Sequence, residues 1–311
     1  MNVKSLLIAP LQGLTDPAWR CAHARAMHSS DMSFTYFSPF VRVESDEIRA
    51  RDIKSLAPDR NRDISLVPQV IFKDMNELGI LTEAITRAGY SRIDLNMGCP
   101  FPPQVKAGRG VAAAVNPCLL AELADFVSQN PDLEFSVKMR PGISSPDEWE
   151  KTIELINKIP VKFVTLHPRV AKAGYRGKPD LECFDRFSER LHHPLIYNGD
   201  ITTPSDYAVI TDRFPNIKGV MLGRGMLSRP SLGAEIIGGN EWDADRRREL
   251  WLAIHRAVAE SIIASSQGDA QALARLKPRL EFIESDLFDK RYLKALVKSR
   301  DLATYLSLLN I

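Results

Sequence analysis

The sequence predicts an α/β chain: a (β/α)8 TIM barrel followed by a small C-terminal all-helical domain. Three observations lead there. Eight short runs rich in β-branched and apolar residues recur up to Leu222. Most are separated by amphipathic stretches long enough for parallel crossovers. Strand signals stop after Gly238-Gly239, although about 70 residues remain, and one barrel of about 250 residues plus an appendage accounts for the 311 residues. A doubly wound open sheet is the competing architecture, but its usual strand number is five or six, and eight favours closure. The expected division is residues 1–240 for the barrel and 241–311 for the helical domain.

In chain order the expected strands are 6–11, 34–43, 66–72, 92–98, 135–140, 163–167, 195–198 and 219–222. Between them, residues 76–88 place Leu78, Leu81, Ala84, Ile85 and Ala88 at helical spacing, and residues 147–159 do so with Trp149, Ile153, Ile156 and Ile159. Asn116-Pro117, Ser145-Pro146 and Thr203-Pro204 read as helix entries, a polar residue before a proline in the first turn. No clean helix is evident in the second crossover, residues 44–62. Four helical stretches are expected after the barrel, at 248–264, 270–285, 290–297 and 302–309. From Ala244 onward there are 12 basic and 9 acidic residues, with Lys290, Lys294 and Lys298 on one helical face. Such a stripe is ordinarily a solvated face, and it also suits a polyanion.

Composition narrows the function. The chain is 44% hydrophobic and 26% charged, as in an ordinary soluble protein, and its net charge of +2 excludes a uniformly basic nucleic-acid binder while allowing local basic patches. Cys21, Cys99, Cys118 and Cys183 form no CxxC pair, which argues against a disulfide framework or a zinc site and for a reducing compartment. The apolar stretch at the N-terminus is too short for a signal peptide, and no run approaches a membrane span. A cytoplasmic protein without metal or membrane attachment is expected.

The ends of the expected strands are unusually polar. The first ends Ala9-Pro10-Leu11-Gln12-Gly13, the third carries Gln69, and the fourth ends Asp94-Leu95-Asn96-Met97-Gly98-Cys99-Pro100. Lys138 and Arg140 lie on the fifth, His167-Pro168-Arg169 closes the sixth, Asn198-Gly199-Asp200 the seventh, and Gly223-Arg224-Gly225 the eighth. Singly, each could be a satisfied polar residue at a strand exit. In a barrel they converge on one rim, where active sites form. Glycines after strands seven and eight suit a phosphate held by backbone N–H groups, with Arg224 as counter-charge. Lys138 in an apolar strand demands an anion or an electron-rich partner, or else snorkels at the mouth; a Schiff base and a carboxylate bridge are also open to it. Cys99 at a strand-end turn beside basic residues can be a nucleophile, a proton donor or an inert thiol. The other cysteines read as packing, and His23, His28, His192, His193 and His255 carry no assigned role.

Taken together, Asp94 to Pro100, Val105-Lys106-Ala107-Gly108-Arg109-Gly110 and Asn116-Pro117 resemble the signature loop of the tRNA-dihydrouridine synthases. The resemblance runs in family order from Ala9 to Gly225, through Ser136-Val137-Lys138-Met139-Arg140, His167-Pro168-Arg169, Gly174-Tyr175-Arg176-Gly177 and Asn198-Gly199-Asp200. Ala274-Arg275-Leu276-Lys277 is similar to the family's RNA-binding appendage. The resemblance implies an FMN-bound barrel that reduces a uridine in tRNA to 5,6-dihydrouridine, with NADPH as electron donor and the chain acting as a monomer. Pro10, Leu11 and Gln12 would line the flavin ring, Gln69 would hydrogen-bond it, and Lys138 and His167 would sit at its polar edge. Asn198, Gly199, Asp200, Gly223 and Arg224 would hold the ribityl chain and phosphate. Asn96 and Arg169 would orient the uracil, and Cys99 would protonate C5 after hydride reaches C6. Because the target base must leave its stack, Lys106, Arg109, Arg176, Arg275 and Lys277, with the Lys290–Lys298 stripe, are the expected RNA contacts.

The sequence departs from the family pattern at Pro103, where lysine is common, at Arg109, where a small or acidic residue is common, and at Pro168, a usual glycine. Ser38-Pro39-Phe40 stands where many members have Thr-Glu, and Phe40-Val41-Arg42-Val43 resembles the bacterial branch modifying position 16. Two other functions compete: an FMN oxidoreductase acting on a free pyrimidine or other small molecule, and a non-catalytic tRNA-binding relative. The helical tail argues against the first, and the intact polar rim against the second.

Overall fold

The computed structural model describes residues 4–28, 34–62, 64–284 and 286–310. Its centre is a closed parallel barrel. The strands are β1 (Ser5–Ile8), β2 (Thr35–Phe37), β3 (broken into Ser65–Val67 and Gln69–Val70), β4 (Arg92–Met97), β5 (Glu134–Met139), β6 (Val164–Leu166), β7 (Leu195–Tyr197) and β8 (Gly219–Leu222). Every neighbouring pair is parallel, and β8 pairs back onto β1, with Leu7 opposite Met221. The break in β3 falls at Pro68, which has no N–H to give to a ladder. Ser65–Val67 pairs with β2, Gln69–Val70 pairs with β4, and the Pro68 carbonyl still accepts from the Asp94 N–H at 2.9 Å. Two partial ladders thus close one eight-stranded barrel.

Paired residues in a parallel ladder share a face, and successive residues alternate faces. The registers Gln69–Asp94–Ser136 and Asn96–Lys138–Thr165–Ile196 therefore place both sets inside the barrel. The lower interior is apolar: Leu7, Ala9, Phe37, Val67, Ile196 and Met221 form a cluster of their own, with Phe163 against it. The opposite faces of the strands pack under the helices in the main core, where Leu95, Val137, Leu166 and Val220 are wholly or almost wholly buried.

Helix entries follow local chemistry. Asn116 caps the Pro117–Ser128 helix by accepting from the Leu119 N–H, and Thr203 with Asp206 forms a capping box ahead of Pro204–Arg213. Ser145-Pro146 begins no helix. The Glu148 carboxylate accepts the N–H groups of Ile143, Ser144 and Ser145, and the segment expected as one helix at 147–159 is a 3-10 turn, Glu148–Lys151, followed by a short helix, Ile153–Ile156. The second crossover does contain a helix, Ala50–Leu56, after a hairpin of Val43–Glu44 and Glu47–Ile48. Its seven residues bury only Asp52 and Leu56, too few to set a readable period.

Among the described residues four α-helices follow the barrel region: Ala244–Ala264, Asp269–Leu276, Lys290–Lys298 and Leu302–Leu309. The helix expected to reach Ser285 ends at Leu276 instead, and the chain continues as a 3-10 segment, Lys277–Phe282, around Pro278; Ser285 lies outside the described residues. This tail is bound to the barrel by charge as well as packing. Arg279 donates to the Leu14 carbonyl at 3.2 Å and to Asp16, the cap of the first helix, at 2.9 Å. Buried Arg229 meets fully buried Glu235, then Glu241 at 3.2 Å and Glu284 at 3.8 Å, and Arg247 meets Glu284 at 3.1 Å. Trp19, Trp251 and His255 line the seam between them. Among the described residues no helix is long and apolar enough to cross a membrane, and no cluster of three or more His, Cys, Asp or Glu could hold a metal.

Arg229→Ala leaves Glu235 buried with only the Ser231 hydroxyl and the Trp242 N–H as partners. Removing one member of a buried ion pair costs about 3 kcal/mol, so the urea midpoint should fall clearly below wild type; an unchanged midpoint would show that the seam does not depend on this cluster.

Candidate active site

The C-terminal mouth of the barrel opens into a cavity of about 530 Å³, within the range that holds small-molecule and cofactor sites. Its floor and walls come from inward-facing positions on nearly every strand. Ala9, Gln69, Asn96, Lys138, His167, Asn198 and Gly223 all line it, with Pro10, Leu11 and Gln12 from the loop after β1 and Gly199, Asp200 and Arg224 from the last two loops. Cys99 faces the same space. The cavity thus gathers every expected cofactor-side residue, together with Asn96 and Cys99.

The Cys99 turn is held from three sides. The Asn96 side-chain oxygen accepts from the backbone N–H groups of Gly98 (3.2 Å) and Cys99 (2.9 Å), and the Cys99 carbonyl accepts from Val111 at 3.2 Å. Gly110 lies against it with φ of 62°, and a Cβ there would stand 2.5 Å from the Cys99 oxygen, so only glycine fits this approach. Burial raises the thiol pKa, outweighing the opposing effects of the Phe101 N–H and of Arg140 and Lys138. Cys99 is therefore a protonated thiol at neutral pH.

Positive charge gathers beside this turn. The Lys138 pKa is lowered to about 8, first by burial and then by Arg140, while Asp94 and Cys99 oppose the shift. Burial drives the His167 pKa far down, helped by Lys138, Arg140 and Arg169, so the imidazole is neutral. Asp200 accepts from Arg169 at 3.0 Å and Arg224 at 2.8 Å, and these partners outweigh its burial and hold its pKa below the usual carboxylate range. Arg224 also lies 4.4 Å above the Tyr175 ring, and Arg140, which donates to the carbonyls of Val170 (3.1 Å) and Gly174 (2.9 Å), approaches the same ring.

Apart from Asn96, the expected substrate contacts lie outside the cavity. Buried Arg169 is turned onto Asp200 and the Gly177 carbonyl, so it braces the loop after β7. Arg109 folds inward onto nearly buried Glu77 and the Val43 carbonyl, so its charge is spent on neighbours outside its own loop. Arg275 pairs with Asp16 at 3.7 Å and bonds Ser265, and Lys277 donates to the Ser299 carbonyl at 2.5 Å. Lys106 and Arg176 are exposed. Conversely, Pro39, Phe40, Arg140 and Tyr175 line the cavity, as do Glu281, Phe282 and Ile283 from the tail. Strand-end polarity marked Arg140, and Tyr175 lay in a recognised motif. The tail residues left no signal, because they reach the mouth only through tertiary packing.

A family model described as dihydrouridine synthase matches residues 7–268, most of this chain. The chain belongs to the dihydrouridine synthase family. It is similar to a tRNA-dihydrouridine(16) synthase of Neisseria meningitidis serogroup B, 26% identical over 305 residues that cover 92% of this chain and 89% of the relative. A Pseudomonas putida protein of the same description is 28% identical over 244 residues, covering 76% and 74%. A tRNA-dihydrouridine synthase B of Proteus vulgaris is 27% identical over 243 residues, covering 74% and 70%. This dihydrouridine synthase is thus an enzyme.

In this synthase the last two loops leave no room for side chains at one point. A Cβ on Gly225 would lie 2.2 Å from the Ile201 carbonyl oxygen and 3.2 Å from Leu232. Gly225→Ala must displace backbone, at a cost of about 1–3 kcal/mol, and should lower the melting temperature by several degrees; a melt superimposable on wild type would mean that the loop yields freely.

Proposed function

We propose that this dihydrouridine synthase reduces a uridine of tRNA to 5,6-dihydrouridine, using FMN held in the barrel mouth and NADPH as reductant. The observation that carries the reading is the cavity itself, which gathers a neutral histidine, a lysine, several side-chain amides and a protonated cysteine in one space. These groups suit a flavin. Gln69, Asn96 and Lys138 offer donors to ring carbonyls, and Gly199, Gly223 and Gly225 line the cavity beside Arg224, where backbone N–H groups would meet a phosphate. Pro10 and Leu11 supply an apolar edge. Asn198, Gly199, Asp200 and Gly223 would hold the ribityl chain and phosphate.

When bound and reduced, FMN supplies the hydride that C6 of the uracil accepts. The chain's own work is then positional and electrostatic. Lys138 holds its ammonium at the cavity wall, where negative charge on a bound ring is favoured, and His167 stays neutral and polar. Asn96 keeps the Cys99 turn in place, and the Cys99 thiol gives its proton to C5 of the uracil. Its raised pKa suits an acid that must not ionise before the substrate arrives.

The RNA-binding reading rests on groups still free to meet phosphate. Lys106, Arg176, Lys290, Lys294 and Lys298 are exposed, and the last three share one helix of the tail. Arg109, Arg169, Arg275 and Lys277 would act indirectly, by holding the loops and tail that present those charges. The relative covering nearly the whole chain is named for position 16, which supports uridine 16 as the target. A tRNA substrate also implies a cytoplasmic enzyme.

The direct test is incubation with FMN, NADPH and tRNA from a strain lacking dihydrouridine, followed by mass spectrometry. Dihydrouridine at one position is expected; flavin reduction with unmodified tRNA would move the small-molecule reading forward. Cys99→Ala should retain FMN and lose about 10²–10⁴-fold in turnover, and product formation at the wild-type rate would remove the proton-donor role. Turnover should fall as pH rises past about 8, because Lys138 is charged only below its pKa. Lys138→Met should be slower at neutral pH and lack that limb; an alkaline limb that survives in Lys138→Met would belong to another group.

A further inference from the structure

Beneath the cavity a chain of buried hydrogen bonds runs in one direction. The Gly98 and Cys99 N–H groups donate to the Asn96 oxygen, the Asn96 amide donates to the Gln69 oxygen at 2.7 Å, and the Gln69 amide donates to Asp94 at 2.7 Å. Ser136 donates to the other Asp94 oxygen at 2.6 Å. Gln69 is 1% exposed and Asp94 fully buried, and Asp94 does not line the cavity. Each link thus accepts from the Cys99 side, and Ser136 fills the remaining Asp94 oxygen. The Asn96 oxygen is filled by two N–H groups and the Gln69 oxygen accepts one, while each amide keeps one hydrogen that no partner in the chain takes up.

We propose that Asp94 is the positioning residue of this site: as the acceptor that ends the chain, it holds Gln69 and Asn96 with donors toward the cavity and thereby selects a ring rich in carbonyl acceptors. The inference rests on the reading of the cavity as a flavin site. Direction is what a carboxylate imposes, because an ionised carboxylate can only accept. Burial raises the Asp94 pKa to about 6, against the opposing pull of Ser136, Gln69 and Lys138, so the group is ionised at neutral pH. The chain also couples ring recognition to Cys99, since the Asn96 amide that bonds Gln69 belongs to the side chain whose oxygen holds the Cys99 turn.

Chemistry separates this role from a merely structural one. In Asp94→Asn the side-chain oxygen can still accept from Gln69 while its amide donates to Ser136, whose hydroxyl turns to accept. Asp94→Leu has no acceptor and leaves the Gln69 amide unpaired. The test titrates wild type, D94N and D94L with FMN at pH 7.5 by flavin fluorescence. D94N should bind within threefold of wild type, and D94L should bind at least tenfold more weakly. D94L binding within threefold of wild type would overturn the proposal, and so would D94N binding as weakly as D94L. Should D94L fail to fold, D94A replaces it with the same expectation. If wild type takes up no FMN, the flavin reading fails by itself. Asp94 is then judged by solvent exchange of the Gln69 side-chain amide in NMR: slow exchange in wild type and D94N with fast exchange in the apolar variant is expected, and equal exchange in all three overturns the role.

Discussion

Closure of a parallel barrel imposes a strict alternation on each strand, and the site depends on it. Once β8 pairs with β1, the inward positions are fixed around the ring. Below, those positions carry Leu7, Phe37, Val67, Ile196 and Met221; above, they carry Gln69, Asn96, Lys138, His167 and Asn198. Apolar packing in the lower layer fixes the backbone spacing that the upper layer uses. A slip of one residue in any strand would exchange a cavity-facing polar group for one buried under the helices.

Between the two layers, Asp94 and Ser136 form a polar step at the height where the interior would otherwise turn apolar. Their burial is compensated by hydrogen bonds that end at the cavity, which ties the orientation of the cavity walls to the body of the barrel. On the rim, Asp200 does comparable work in a more exposed setting, drawing Arg169 from behind and Arg224 from the front. The tail completes the enclosure. Arg279 at Asp16 and Glu284 at Arg229 and Arg247 anchor the two ends of a segment whose middle, Glu281 to Ile283, faces the cavity.

Much of this was readable in the sequence because the barrel writes its site at strand ends. Eight runs and their polar termini led to the fold, and the strand-end residues expected on the cofactor side meet in one cavity. What escaped reading depended on partners far away in sequence. Arg109 looks like a free cation in its loop, and only the packing of Glu77 reveals its commitment. Likewise, the bonds of Arg169 to Asp200 and the Gly177 carbonyl join residues that the sequence keeps apart. The missed helix at Ala50–Leu56 has a local cause: it is short and buries only Asp52 and Leu56.

The central claim is that the inward polar layer is a flavin site, and the most direct measurement is the cofactor content of the purified protein. The absorbance spectrum, with mass spectrometry of the molecule released on denaturation, should reveal FMN at one per chain, or stoichiometric uptake when FMN is added to the apo-protein. A colourless protein that takes up no FMN at micromolar concentration would contradict the account.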